Sequence, residues 1–85
     1  MDYWQVALTE TAKKRIAKIS QPEKHRILTA IARLHEGLVG DIKRMKGSKD
    51  FRLRVGGWRL ILSADPLKRM ILVKDVDTRG DIYKH

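Results

Sequence analysis

The segment FRLRVGGWRLIL, residues 51–62, predicts two alternating β-strands joined by a two-residue turn at Gly56-Gly57. A type I′ turn needs positive φ at both central residues, which glycine adopts without steric strain. A two-residue turn also fixes the register, which places Arg54 opposite Arg59. One side of the hairpin is then apolar and contains Phe51, Leu53, Val55, Trp58, Leu60 and Leu62. The other side, termed the arginine face, contains Arg52, Arg54, Arg59 and Ile61.

The arginine face has three guanidinium groups side by side, and their repulsion opposes folding. Directly opposed like charges destabilise a sheet by roughly 0.2–1 kcal/mol for each pair. A mixture of lysine, glutamate and threonine would cover a solvated face without that repulsion. A solvated face whose charges are screened by salt is the alternative interpretation. We favour a phosphate-binding surface, because guanidinium groups bind phosphate oxygens through paired hydrogen bonds.

The composition predicts one small basic domain that spans residues 1–85. Hydrophobic residues make up 42% of the chain, which argues against disorder. The net charge of +9 favours a polyanionic partner such as nucleic acid, or else an acidic protein. Residues 38–49 predict a glycine-punctuated basic loop, which is equally consistent with RNA binding and with an ordinary solvated connection. Its candidate RNA-binding residues are Lys43, Arg44, Lys46 and Lys49.

The sequence also indicates where the protein works. It contains no cysteine, which suits a reducing cytoplasm. Residues 1–5 lack a basic segment followed by an apolar run, so we expect no signal peptide. No apolar stretch approaches about 18 residues, the length that a membrane-spanning helix requires. We therefore expect a cytoplasmic protein without a membrane partner.

The chain before the hairpin predicts a strand followed by two helices. Residues 3–8 alternate in polarity, as expected of a short strand. Thr9 is suited to cap a helix that extends through Ile19. Residues 20–23, Ser-Gln-Pro-Glu, have the pattern of a capping box and predict a second helix that extends to about Glu36.

The chain after the hairpin completes the predicted sheet. Residues 65–68 predict a turn, because proline fixes φ there. Residues 70–76 are mostly apolar and predict a strand in the centre of the sheet. The predicted fold class is therefore α+β. It is a small, mostly antiparallel sheet with a mixed edge, an N-terminal strand and an α-helical hairpin packed on one face.

The residues suited to chemistry are arginine and tyrosine rather than metal ligands. His25, His35 and His85 are too scattered to predict a metal site, and no cofactor motif is present. Residues 79–81, Arg-Gly-Asp, would be an adhesion motif only in an extracellular protein, which nothing in the sequence favours. Arginine can stabilise charge on a transferring phosphoryl group, and tyrosine can stack on a base or donate a hydroxyl near the scissile bond. In RNA cleavage the nucleophile can be the 2′-OH of the RNA itself, so a metal-free protein needs only to orient the RNA, stabilise charge and transfer protons.

Three segments together resemble the RelE branch of the RelE/ParE toxin superfamily. They are Gly40-Asp41-Ile42-Lys43-Arg44-Met45-Lys46-Gly47, the hairpin at residues 51–61, and Val76-Asp77-Thr78-Arg79-Gly80-Asp81-Ile82-Tyr83. The resemblance implies a RelE-like fold and the toxin of a type II toxin–antitoxin pair. Such a toxin is an endoribonuclease that cleaves mRNA in the ribosomal A site without a metal or cofactor. Its implied partners are a cognate antitoxin and the ribosome with its mRNA.

The resemblance also implies roles for individual residues. Arg59 and Arg79 would bind the phosphate in the transition state. Tyr83 would stack on the RNA and orient it, while Arg52 and Arg54 would handle the substrate and its proton. The implied catalytic set is therefore Arg52, Arg54, Arg59, Arg79 and Tyr83.

Arg54 departs from a RelE pattern in which lysine at this position is the general base. A guanidinium group effectively stays protonated in proteins, so Arg54 is unsuited to accept a proton. The ribosomal RNA or the substrate supplies the base, or His85 does, since histidine titrates near neutral pH. Otherwise, cleavage depends on electrostatics and in-line geometry alone.

Two other functions are open alternatives. A ParE-like protein would poison DNA gyrase without being an enzyme, although gyrase-directed members generally lack the full arginine and tyrosine set. A basic nucleic-acid-binding module would bind RNA and leave it intact.

Overall fold

The computed structural model describes residues 3–78, which form a five-stranded mixed sheet with two α-helices on one side. In chain order the elements are β1 (Gln5–Leu8), α1 (Glu10–Ala17), α2 (Glu23–Arg33), β2 (Ile42–Arg44), β3 (Phe51–Val55), β4 (Trp58–Asp65) and β5 (Met70–Thr78). The strand order is β1-β5-β4-β3-β2, with β1 parallel to β5 and all other pairs antiparallel. The predicted α+β class is confirmed. Arg79, Tyr83 and His85 lie outside the described residues.

The central hairpin has the predicted register, with Arg54 opposite Arg59 and Leu53 opposite Leu60. The turn differs from the prediction in one detail. Gly56 has a φ of +61°, whereas Gly57 is outside the left-handed region. A positive φ at the first central residue alone is the pattern of a type II′ turn, so the expectation of a type I′ turn is wrong. Both turn types have two central residues, which is why the register is unchanged.

One apolar core fills the space between the sheet and the helices. α1 packs against β5 and β1, and α2 packs against β3. Within residues 3–78 no polar or charged residue is buried, and no helix is long and apolar enough to span a membrane. The predicted apolar side of the hairpin is confirmed, because its residues are buried in this core or packed against it. The buried residues are Ala12, Ile16, Ile19, Ile27, Ile31, Leu34, Leu53, Leu60, Leu62, Ile71, Val73 and Val76.

The first helix begins where the sequence predicts. Thr9 Oγ1 accepts a hydrogen bond from the Ala12 N–H at 3.1 Å, which makes Thr9 the N-cap of α1. The same hydroxyl donates to the carbonyl oxygen of Lys74 on β5 at 2.6 Å, so it also ties the helix to the sheet. The helix ends at Ala17, two residues before the predicted Ile19, which is nevertheless buried in the core.

The second helix begins differently from the prediction. Pro22 is its N-cap and no side chain makes a capping hydrogen bond, so the predicted capping box at residues 20–23 is wrong. Gln21 Oε1 instead accepts a hydrogen bond from the His25 N–H at 3.0 Å, which satisfies one backbone donor of the first turn. A short 3-10 turn at residues 34–36 follows the helix.

The strand β2 lies in a segment for which the sequence predicts a loop. The prediction for residues 38–49 is therefore wrong at Ile42–Arg44. Lys43 lies opposite Arg52 on β3, which adds β2 to the edge of the sheet. β5 lies between β1 and β4, so it is an interior strand as predicted, and β4 occupies the middle position of the five.

The strand β5 has one extra residue, Lys74, which forms a β-bulge against β4. Val73 lies opposite Leu62 and Asp75 lies opposite Ile61, and Lys74 between them has no partner residue on β4. In a regular strand Asp75 would point to the same side as Val73, into the core. The bulge turns Asp75 to the arginine face, beside Ile61.

The turn geometry predicts different effects for the same substitution at its two glycines. Gly56→Ala places a side chain on a residue with positive φ, so it should lower the free energy of unfolding by about 1–2 kcal/mol. An added Cβ at Gly57 meets nothing within 4 Å, so Gly57→Ala should change it by less than about 0.5 kcal/mol. Urea denaturation measures both values. Equal losses in the two variants would contradict the type II′ geometry.

Candidate nucleic-acid interface

The arginine face lies on the side of the sheet opposite the two helices. Its first row crosses three strands, because Arg54 on β3 lies opposite Arg59 on β4, and Arg59 lies opposite Asp77 on β5. Neighbouring strands are about 4.8 Å apart. Two guanidinium groups and one carboxylate are therefore within reach of a single phosphodiester group.

A second row runs parallel to the first, two residues further from the glycine turn. Lys43 on β2 lies opposite Arg52 on β3, which lies opposite Ile61 on β4 and then Asp75 on β5. The two rows together form a surface that is positive over β2, β3 and β4 and negative over β5. A polyanion would bind along the positive strands and meet the carboxylates at their border.

The structure brings together the three arginines that the sequence predicts on this face. Arg54 is exposed, whereas Arg52 and Arg59 are half-buried by their neighbours on the sheet. A half-buried guanidinium group keeps its charge because it cannot be deprotonated in proteins. The arrangement can therefore bind and stabilise negative charge at neutral pH, but none of these three groups can accept a proton.

The arginine face also contains two carboxylates, Asp75 and Asp77, that were not predicted from the sequence. Asp75 Oδ1 lies 3.3 Å from Nε of Arg15, and Asp77 Oδ1 lies 3.9 Å from Nη1 of the same residue. Arg15 reaches both from α1, which packs against β5. All three side chains are a third to a half exposed, so these ion pairs contribute little to stability.

A signal for these carboxylates exists in the sequence. Asp75 and Asp77 flank the apolar Val76, which is the alternation of a half-buried strand. This alternation conflicts with the one set by Val73 earlier in the strand, and the bulge at Lys74 resolves the conflict. A bulge at this position would have had to be inferred before the two carboxylates could be placed.

The structure separates the four candidate RNA-binding residues of the predicted loop. Lys43 shares the arginine face through its pairing with Arg52. Arg44 is on the other side of the sheet, with its guanidinium carbon 5.9 Å from the centre of the Phe51 ring. This is the geometry of a cation–π contact, worth about 0.5–1 kcal/mol at an exposed site. The exposed connection between β2 and β3 contains Lys46 and Lys49.

The histidines among residues 3–78 do not lie on the arginine face. His25 and His35 are exposed on the helical side of the molecule. Between residues 3 and 78, no group of three or more histidine and carboxylate side chains could hold a metal ion. The positions of Arg79, Tyr83 and His85 stay predictions, since these residues lie beyond the described range.

A cavity of about 410 Å³ opens between the glycine turn and the connection of the two helices. Val55 and Trp58 line it together with Lys18, Glu23 and Arg26, so it belongs to the apolar side of the sheet. The three arginines of the arginine face do not line it. They lie on a strand surface, which suits a long polymer better than a small enclosed ligand.

The fold and this surface define a RelE-fold protein, an α+β domain with helices on one side of the sheet and a basic surface on the other. Solved structures confirm the resemblance predicted from the sequence. The chain is similar to a chain of the archaeal RelE–RelB complex from Pyrococcus horikoshii, with a TM-score of 0.81 and 21% identity. The match covers 94% of this chain and 98% of that one.

Two further solved structures share the fold. One is the RelBE2 toxin–antitoxin complex from Mycobacterium tuberculosis, with a TM-score of 0.64, 27% identity and coverage of 95% and 97%. The other is the isolated RelE toxin of E. coli, with a TM-score of 0.73, 18% identity and coverage of 95% and 90%. No family model and no curated protein matches the chain. The likeness is therefore one of fold over nearly the full length.

The opposed pair of Arg54 and Arg59 predicts that removal of one arginine stabilises the protein. Arg54→Thr should raise the free energy of unfolding by about 0.2–1 kcal/mol at low salt, because it ends the repulsion and because threonine suits a strand. The gain should shrink at high salt, which screens exposed charges. Urea denaturation at two salt concentrations measures the effect.

The matched control is Lys49→Thr, which removes one exposed charge from a connection instead of a strand. It should change the free energy of unfolding by less than about 0.5 kcal/mol. A loss of stability in Arg54→Thr at low salt would show that the pair is not repulsive.

Proposed function

We propose that this chain is the toxin of a type II toxin–antitoxin pair and that it cleaves mRNA on the ribosome. The observation that best supports the proposal is the pairing of Arg54 with Arg59 on the helix-free side of a RelE fold. Guanidinium groups on neighbouring strands are spaced so that both can bind the oxygens of one phosphate. Binding of an RNA phosphate would give the arrangement a use that a solvated surface lacks.

The proposed reaction begins with attack of a ribose 2′-OH on the neighbouring phosphorus. Arg59 and Arg79 bind the phosphate oxygens and stabilise the charge that develops in the transition state. Tyr83 stacks on a base and holds the RNA in line for attack. Arg52 and Arg54 bind the flanking backbone. Because RNA supplies the nucleophile, the protein contributes orientation, charge stabilisation and proton transfer.

The proposed protein partner is an antitoxin with an acidic segment that covers the arginine face. The solved complexes with the same fold include a RelE–RelB pair and the RelBE2 toxin–antitoxin pair. The net charge of +9 favours such an acidic partner by charge complementarity. Its segment would occupy the surface that RNA needs, so antitoxin and substrate would exclude each other.

The proposed cleavage is tested on ribosomes that hold a defined mRNA, with the cut mapped by primer extension. The wild type should cut the A-site codon. Arg59→Ala should lower the single-turnover rate by about 10²-fold or more, because it removes a donor to the transition-state phosphate. Arg79→Ala should have a similar effect. The control is Lys68→Ala, which removes an exposed charge from the turn between β4 and β5, at the end of the hairpin away from Gly56.

Two results would contradict the nuclease proposal. Intact mRNA together with trapped gyrase–DNA complexes would identify a gyrase poison instead. RNA that is bound but uncut, with an affinity that falls steeply as salt rises, would identify a binding module without catalysis.

Binding of the antitoxin should raise the melting temperature of the chain. The partner to use is the product of a small acidic reading frame next to this gene. At about 100 times its dissociation constant it should stabilise the folded state by about 2.7 kcal/mol. The double variant Arg52→Glu/Arg54→Glu should show a smaller shift, because it reverses the charge of the covered face. An unchanged melting temperature of the wild type in the presence of the partner would exclude this pairing.

A further inference from the structure

We propose that Asp77 is the general base of the RNA cleavage, an inference that rests on the function proposed above. The reaction needs a group that takes the proton of the attacking 2′-OH. Arg54 is unsuited, since a guanidinium group keeps its proton. A carboxylate accepts a proton readily and is a common general base. The geometry of the arginine face supplies one at the required place.

The cross-strand register places Asp77 directly opposite Arg59, on the side away from Arg54. Residues that oppose each other on neighbouring strands have Cβ atoms about 4.5–5.5 Å apart. In a reactive conformation the attacking oxygen lies about 3–3.5 Å from the phosphorus. Arg59 and Asp77 are therefore neighbours on one face, so a nucleotide that lies across β4 and β5 can contact both side chains.

Asp77 is held in a defined orientation. Its Oδ1 accepts a hydrogen bond from the Thr78 N–H at 2.8 Å and lies 3.9 Å from Nη1 of Arg15. Both contacts are made by the same oxygen, so Oδ2 is the oxygen suited to take the proton. The side chain is 33% exposed, which leaves it accessible to a substrate on the sheet surface.

Asp77 also lines a cavity of about 370 Å³ beside α1, together with Arg15, Lys18 and Trp58 and the apolar Ile19 and Val76. This cavity lies on the helical side of the sheet, so it is not part of the arginine face. Among the described residues, Arg15 and Lys18 line the cavity with Asp77, Arg59 lies opposite Asp77 on β4, and Asp75 is the nearest carboxylate along β5.

Asp75 provides a matched comparison because its local contacts resemble those of Asp77. Its Oδ1 accepts the N–H of the next residue at 2.8 Å and pairs with Arg15, and its side chain is 36% exposed. It differs in its cross-strand neighbour, which is Ile61 instead of an arginine. Asp75 therefore shares the structural contacts of Asp77 and lacks the adjacent phosphate-binding group.

The proposed step balances without any further reagent. The 2′-oxygen forms a bond to phosphorus as its proton passes to Oδ2 of Asp77. The bond between phosphorus and the 5′-oxygen breaks, and the departing oxygen takes a proton from water. The products are a 2′,3′-cyclic phosphate and a 5′-hydroxyl. Asp77 returns its proton to solvent before the next turnover.

The test compares the wild type, Asp77→Asn, Asp77→Glu and Asp75→Asn on mRNA-programmed ribosomes. Single-turnover rates are measured at neutral pH. Asp77→Asn should lower the rate by about 10²-fold or more, because an amide cannot accept the proton. Asp77→Glu should recover a large part of the rate, since it restores a carboxylate. Asp75→Asn should stay within a few-fold of the wild type.

The outcomes separate this inference from the function on which it rests. A wild type that leaves mRNA intact would overturn both. Cleavage by the wild type together with near-normal cleavage by Asp77→Asn would overturn the role of Asp77 alone. Equal losses in Asp77→Asn and Asp75→Asn, with no recovery in Asp77→Glu, would assign both residues to structure and also overturn it. Thermal unfolding of each variant identifies any loss that follows from misfolding.

Discussion

The register of the central hairpin is the constraint on which the rest of the structure depends. A two-residue turn at Gly56-Gly57 leaves no freedom to slide β3 against β4, so Leu53 meets Leu60 and Arg54 meets Arg59. Side chains alternate with a period of two along a strand, so a slip of one residue would send every arginine into the core and every core leucine to the surface. Burial of the leucines therefore fixes the two arginines opposite each other, although like charges in that position repel. The packing of the core and the charge pattern of the surface follow from the same register.

The β-bulge at Lys74 is a second constraint, because it decides which face of the sheet carries the carboxylates of β5. Without it, the alternation set by Val73 would bury Asp75 and expose Val76, an arrangement that would leave a carboxylate unpaired in an apolar core. With the bulge, Asp75 and Asp77 lie beside the arginines on the same face of the sheet. Thr9 helps to maintain the bulge, because its hydroxyl bonds the Lys74 carbonyl while it caps α1. The Thr9 side chain thus connects the first turn of α1 to the bulged residue of β5.

The parts of the fold that follow from local rules could be predicted from the sequence, and those that depend on distant partners could not. The hairpin register follows from the length of the turn, the cap at Thr9 from the chemistry of its side chain, and the presence of both helices from apolar spacing. The strand β2 was not predicted, because its three residues form a strand only by pairing with β3. The segment Ile42–Arg44 is too short for its own sequence pattern to indicate a strand. The arginines of the candidate site were predictable because one turn relates them. Asp77 was not, because its place opposite Arg59 depends on a bulge and on a connection through residues 66–69.

The two carboxylates of β5 have a further consequence for the free protein. β1 pairs with β5 only as far as Val73, so within the described chain residues 74–77 are paired with a strand on one side only. At a strand edge of this kind a second molecule can add its own strand and start aggregation. Asp75 and Asp77 each accept the N–H of the following residue, which occupies the donors that an incoming strand would need. These two side chains therefore disfavour the addition of a strand from another molecule at this edge of the sheet.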